Sequence, residues 1–132
     1  MKKIISTKNA PAAIGPYSQA IEINGTLYIS GQIPVDPSTG KVVEGGIEEQ
    51  TEQVMKNIGA ILKEAGYEYQ HIIKTTCLLA DMGLFKSFNE IYGGYFPENP
   101  PARATFAVRE LPMGVLVEVE AVAVSLHISC MS

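Results

Sequence analysis

Apolar residues recur in this chain with two different periods, and the changes of period divide it into strands and helices. Residues 3–6 make a short apolar run suited to an edge strand. Residues 20–23 and 26–30 are strand-like and flank Asn24-Gly25, a two-residue hairpin signal. From 47 to 65 the period becomes helical. Val54, Ile58, Ile61, Leu62 and Ala65 share one face, with Glu48, Glu49, Glu52, Lys56 and Lys63 on the other. The acidic residues favour the first turns, and Gly66 stands where a left-handed C-cap belongs. Residues 71–80 return to a β-branched strand pattern, and Asp81 is placed to cap a second helix. In that helix Leu84, Phe85, Phe88, Ile91, Tyr92 and Tyr95 recur at helical intervals, with a break at Gly93-Gly94 or fraying near Phe96-Pro97. Two strands close the pattern, from Arg103 to about Val108 and from Val115 to about Leu126. The order β-β-β-α-β-α-β-β predicts an α+β fold with both helices packed on one face of a mixed β-sheet.

Between these elements the chain is punctuated rather than linked. Residues 9–17 contain Pro11, Gly15 and Pro16 and read as an ordered loop, and residues 34–40 are turn chemistry throughout. No repeat, low-complexity tract or linker divides the 132 residues, so residues 1–132 are expected to form one domain.

Composition changes this picture at two points. The chain is 46% hydrophobic and 18% charged, with a mean hydropathy of +0.12, which is apolar for a small soluble monomer and suggests subunit contact. Its net charge is −4 and its longest basic run is Lys2-Lys3, which argues against nucleic acid as the main partner. No apolar stretch of signal-peptide length follows those lysines and none in the chain is long enough to span a bilayer, so a cytoplasmic protein is expected. Cys77 sits in an apolar strand pattern as a core residue; a disulfide to Cys130 stays open, although nothing else suggests a secreted scaffold.

Polar residues that interrupt the apolar pattern are the candidates for chemistry. Pro100 and Pro101 stiffen the approach to Arg103 and deliver it at a strand start. Its guanidinium is a planar fork of donors matched to a carboxylate. Two readings stay open: grip on an anionic substrate, or an ion pair with Glu110, Glu118 or Glu120. Glu118 and Glu120 share a strand face with Leu116, Val122 and Val124, so at least one should be partly shielded and hold its proton more tightly. That prepares a carboxyl for acid–base work, and pairing with cations in a subunit interface is the alternative. Tyr17, Ser30 and Asn89 lie at element ends, and Gly31 permits close approach of a ligand or another chain. His71 and His127 have no partner at metal-ligand spacing, and no nucleophile elbow, Walker loop, dinucleotide fingerprint or zinc motif is present. No metal and no cofactor are expected, leaving side chains and water as the reagents.

Four motifs, in order, carry a resemblance. They are Asn9-Ala10-Pro11-Ala12-Ala13-Ile14-Gly15-Pro16-Tyr17-Ser18-Gln19-Ala20, Ser30-Gly31-Gln32-Ile33-Pro34, Pro101-Ala102-Arg103 and Val117-Glu118-Val119-Glu120-Ala121-Val122-Ala123. Together they resemble the Rid family, also called the YjgF family, and within it the RidA branch of reactive intermediate deaminases. The resemblance implies a fold similar to the small chorismate mutase type and a homotrimer with three clefts between subunits. It implies hydrolysis of 2-imino acids to 2-oxo acids and ammonia, the imines arising from enamines released by pyridoxal-phosphate-dependent dehydratases. Arg103 would bind the substrate carboxylate, Glu118 would position water, and Tyr17, Ser30, Gly31 and Asn89 would line the cleft. Many members of the branch carry a cysteine where this chain has Thr105; the site uses the backbone there, so Thr105 is expected to bind substrate and activity to survive. Residues 127–132 extend beyond the usual end. The alternative function is a non-catalytic trimer that binds small carboxylate metabolites and regulates a partner. Ribonuclease activity, attached to some relatives, is disfavoured by the acidic balance.

Overall fold

A computed structural model of the chain describes residues 1–125. The expectations attached to Leu126, His127, Cys130 and the rest of the terminal segment fall outside the described residues. Strand β1 (Lys3–Ile5) leads into the long loop, and β2 (Ala20–Ile23) and β3 (Thr26–Gln32) form the expected hairpin, with Ile23 opposite Thr26. Asn24 and Gly25 both have positive φ, 49° and 79°, the turn geometry that Asn-Gly favours because it matches the strand twist.

After β3 the structure adds elements that turn chemistry alone did not announce. Strands β4 (Val35–Asp36) and β5 (Lys41–Val42) pair in a small antiparallel sheet. The carboxylate of Asp36 closes the turn between them, accepting from the Ser38 backbone N–H at 2.8 Å and its hydroxyl at 2.7 Å. Strands of two residues are too short to leave a period in the sequence.

Helix α1 (Ile47–Ala65) has the expected bounds. Glu49 Oε1 accepts from the Gly46 N–H at 2.8 Å, and Gly66 ends the helix at φ 84°, ψ 23°, donating to the Leu62 and Lys63 carbonyls. Its buried face carries Val54, Ile58, Ile61 and Leu62, but also Gln50, Thr51 and Asn57. Two of these polar residues, Asn57 and Gln50, connect the helix to loops. Asn57 Nδ2 donates to the carbonyls of Ile33 and Val35 at 3.1 and 3.0 Å, and Gln50 Oε1 accepts from Leu116 N at 2.8 Å.

Strand β6 (Ile72–Leu79) follows, and Asp81 caps a single 3-10 turn, Met82–Leu84, before α2 (Phe85–Gly93). The helix stops at the glycine pair rather than at Pro97. The last strands are β7 (Ala102–Ala107) and β8 (Val117–Val124), the latter beginning two residues later than the pattern suggested, after a 3-10 turn at Pro112–Gly114.

Six strands form one sheet in the order β1-β2-β3-β8-β6-β7, antiparallel throughout except for β6 and β7, which α2 connects in parallel. Helix α1 lies on β3 and β8, and α2 packs against α1. Alternation then sorts the side chains. Val117, Val119, Ala121 and Ala123 of β8, with Thr75, Cys77 and Leu79 of β6, are buried beneath the helices. Glu118, Glu120, Val122 and Val124 face the other way, whereas Leu116, expected on that face, precedes the strand and packs against the core. Among the described residues no layer covers that second face, where Tyr28 is 50% and Phe106 47% exposed.

Candidate active site

Arg103 stands on the edge strand β7, in register with Thr75 of β6, and both project toward α2. Three residues on one stripe of that helix receive the guanidinium. Its carbon lies 5.0 Å from the Tyr92 ring centroid and 5.4 Å from that of Phe85, and Nη1 donates to Asn89 Oδ1 at 2.7 Å. The hydrogen bond therefore goes to a neutral amide, while Glu118 and Glu120 lie on the opposite face of the sheet. Beneath the cation, the Tyr92 hydroxyl shares a hydrogen bond of 2.7 Å with Thr75 Oγ1, and both residues are buried. A concavity of about 520 Å³ opens beside Arg103, bounded by Asn89, Tyr92, Phe96 and Pro101.

Thr105 pairs in register with Cys77, so its side chain is turned inward; its buried Oγ1 has no hydrogen-bond partner among the described residues. Burial pushes the Cys77 thiol up, against smaller opposing effects from Thr75 and Arg103. That thiol is a core group, 3.8 Å from Thr75 Oγ1.

The second group of candidates occupies the uncovered face. Between Ile29 opposite Ala121 and Gln32 opposite Val119, β3 contains one more residue than β8, which makes a bulge at Ser30-Gly31. The bulge brings Gly31 against Glu118 so closely that a Cβ at position 31 would fall on the carboxylate. The close approach read from that glycine is thus made by a side chain of the same protein. Glu118 is half-buried, and burial first, then the negative charge of Glu120, holds its carboxyl above the ordinary value of 4.5.

Tyr17, Ser18, Ser30 and Glu120 line a further concavity of about 430 Å³ on this face. Ser30 is already engaged: its hydroxyl donates to the Ser18 carbonyl at 2.6 Å and its N–H to the Gln19 carbonyl at 3.0 Å. Its hydroxyl proton is committed to the loop, and only its oxygen lone pairs remain for a ligand. The phenol of Tyr17 is exposed and accepts from the Ile14 N–H at 3.4 Å. The loop that carries it hangs on Gln19, a buried amide. Gln19 Oε1 accepts from Thr7 N at 2.7 Å, and Nε2 donates to the carbonyls of Thr7, Ala10 and Pro11 at 3.0, 3.3 and 2.7 Å.

The structure thus brings Arg103 together with Asn89, and Glu118 together with Gly31. It does not bring the two pairs together within one chain. Two strand spacings, about 10 Å, and the sheet itself separate them. Phe85, Thr75, Tyr92 and Gln19 were missed as site residues. For the aromatic pair a signal existed, since Phe85, Asn89 and Tyr92 stand at i, i+4 and i+7; for Gln19 and Thr75 none did.

Comparison with known proteins gives the family. The family described as endoribonuclease L-PSP matches residues 7–125. A protein of Mus musculus named 2-iminobutanoate/2-iminopropanoate deaminase is 54% identical over 94% of this chain and 92% of its own length. Among solved structures, a Rid-family protein of Yersinia pestis is similar with a TM-score of 0.92 at 52% identity, covering 95% of this chain and 100% of its own. TdcF of E. coli, solved with bound serine, has a TM-score of 0.89 at 38% identity, covering 93% of this chain and 98% of its own.

Proposed function

This chain belongs to the endoribonuclease L-PSP family, the Rid family, and from that premise we propose that it is a deaminase hydrolysing 2-imino acids to 2-oxo acids and ammonia. The observation that carries the reading is a pair of side chains. Arg103 is held by an amide and two rings, with donors left over for a carboxylate; Glu118 is a carboxyl with raised proton affinity beside the Ser30-Gly31 bulge. The RNA-directed description of the family fits this chain poorly, because its net charge is −4 and its longest basic run is two lysines.

The site is completed between copies. Because Arg103 and Glu118 lie on opposite faces of one sheet, a cleft containing both requires β7 of one subunit to meet the uncovered face of another. Tyr28, Phe106, Val122 and Val124 give that face its apolar character. Three copies around an axis close such a head-to-tail contact and produce three equivalent clefts. The small exposed apolar face and the edge strand are then both covered.

In that cleft Arg103 binds the carboxylate of the imino acid, assisted by the backbone at Thr105, and Asn89 fixes the guanidinium. Glu118 orients a water, takes its proton as the oxygen adds to the iminium carbon, and returns a proton to nitrogen as the C–N bond breaks and ammonia leaves. Ser30 contributes as an acceptor, and Tyr17 closes the cleft from the loop. Positioning and general acid–base transfer, about 10²–10⁴-fold, are the contributions asked of these residues. The substrates are short-lived enamine tautomers, so a pyridoxal-phosphate-dependent dehydratase in the same cytoplasm is the functional partner. The test is a coupled assay in which a threonine dehydratase supplies 2-iminobutanoate and the appearance of 2-oxobutanoate is timed. The wild-type protein accelerates it and Arg103→Ala does not. No acceleration by the wild type would leave a binding module in place of an enzyme.

A further inference from the structure

We infer that Thr75 and Tyr92 are positioning residues for Arg103, acting through a buried hydrogen bond that fixes the tyrosine ring on which the guanidinium rests. The inference rests on the carboxylate-binding role proposed for Arg103 and names what makes that side chain rigid. Arg103 comes from an exposed edge strand, where a long side chain has many rotamers. Nothing in β7 itself holds it. What holds it is α2: Asn89 takes one donor, and the faces of Tyr92 and Phe85 lie 5.0 and 5.4 Å from the guanidinium carbon. A ring supports a cation only if its own tilt is set. Tyr92 also lies between Phe88 and Phe96, with centroids at 5.3 and 4.9 Å and the rings tilted by 32° and 50°, contacts that are apolar and carry no directional bond. The hydroxyl's bond to Thr75 Oγ1, 2.7 Å long, is the directional restraint. Thr75 is in turn the register partner of Arg103 across β6 and β7. One ladder position therefore sets both the root of the arginine and the ring beneath its head.

A merely structural role predicts a different response from a positioning role, and a double-mutant cycle separates them. Thr75→Val leaves the buried Tyr92 hydroxyl without a partner and Tyr92→Phe leaves the Thr75 hydroxyl only the weak Cys77 thiol, and both should lower the unfolding midpoint. The double variant removes both hydroxyls and should recover most of that loss. Substrate affinity should not recover with it. We expect KM for 2-iminobutanoate to rise about three- to tenfold in Thr75→Val and in the double variant, with kcat within about twofold of wild type, as for the loss of an interaction present equally in ground and transition states. Thr75→Ser retains the hydroxyl and should keep the wild-type KM. Binding of 2-oxobutanoate, followed by calorimetry, should weaken in parallel without depending on turnover. If KM and acid binding return to wild type together with stability in the double variant, or never change, Thr75 and Tyr92 are core residues only and the inference falls. A wild-type protein that binds the acid but hydrolyses no imine overturns the proposed activity while the binding cycle still decides this inference. One that does neither sinks both.

Discussion

Glu118 meets two opposing demands. A carboxyl among apolar strand neighbours holds its proton more tightly than in water, and the adjacent Glu120 adds to the effect. Because the folded-state value lies above the unfolded one, this group contributes stability at pH below the unfolded value and loses that contribution as pH rises through the folded value. Glu118→Gln should therefore raise the thermal midpoint at pH 7, with the gain vanishing as the pH is lowered toward about 4. The same variant should lose at least about 10²-fold in kcat. Full activity in it would remove Glu118 from the mechanism. Glu120→Gln deletes the neighbouring charge, so the acidic limb of the kcat/KM profile should move to lower pH while the plateau is retained. Gly31→Ala places a methyl group where the Glu118 carboxylate lies. It should depress kcat more than it depresses stability, since the carboxylate can swing toward open solvent but not remain in place.

Among the elements, α1 is tied to the sheet's loops by polar residues as much as by its apolar stripe. Asn57 is 1% exposed and is the partner of two carbonyls, those of Ile33 just after β3 and Val35 at the start of β4. Asn57→Ala should cost about 2 kcal/mol in a denaturant titration, because both carbonyls lose a donor in a place water reaches poorly. KM should stay near wild type, since the hydrogen-bond partners of Asn57 are Gln53, Ile33 and Val35 and include neither Arg103 nor Glu118. A loss below about 0.5 kcal/mol would mean that water replaces the amide. The hairpin of β2 and β3 shows the complementary case. Its turn is fixed by Asn24-Gly25, and its one-residue bulge falls at Gly31, where the glycine signalled a close approach but not what would make it.

For the whole molecule, Arg103 and Glu118 lie on opposite faces of one sheet, so the shared cleft proposed above needs two copies. Arg103→Ala and Glu118→Gln, each inactive alone, should regain activity when unfolded and refolded together. Random mixing gives about a quarter of clefts with both wild-type residues, and so about a quarter of the wild-type rate. No regain would place the whole site within one chain and overturn the shared cleft. Val122→Asp puts a charge on the uncovered apolar face; sedimentation should then show monomers, with deaminase activity lost alongside assembly.

The chain's local grammar announced every long element, because each rests on short-range causes: the period of apolar residues, the Asn24-Gly25 turn, the acidic first turn and Gly66 of α1, the proline pair before Arg103. It also announced that Glu118 and Glu120 share one strand face with at least one of them partly shielded, which is Glu118, while Glu120 is exposed; alternation in a strand is local too. Sequence distance cannot encode which face of a sheet a given strand presents relative to another. That follows from pairing register: β8 and β7 lie on either side of β6, Arg103 in register with Thr75 and Glu118 with Leu78, so the two point opposite ways. The same packing made Thr75 the support of Tyr92, gave Gln19 the loop to hold, and turned Gly31 toward a carboxylate. Each of these contacts joins residues that are far apart along the chain or on separate elements, and it exists only once the sheet has closed around its core.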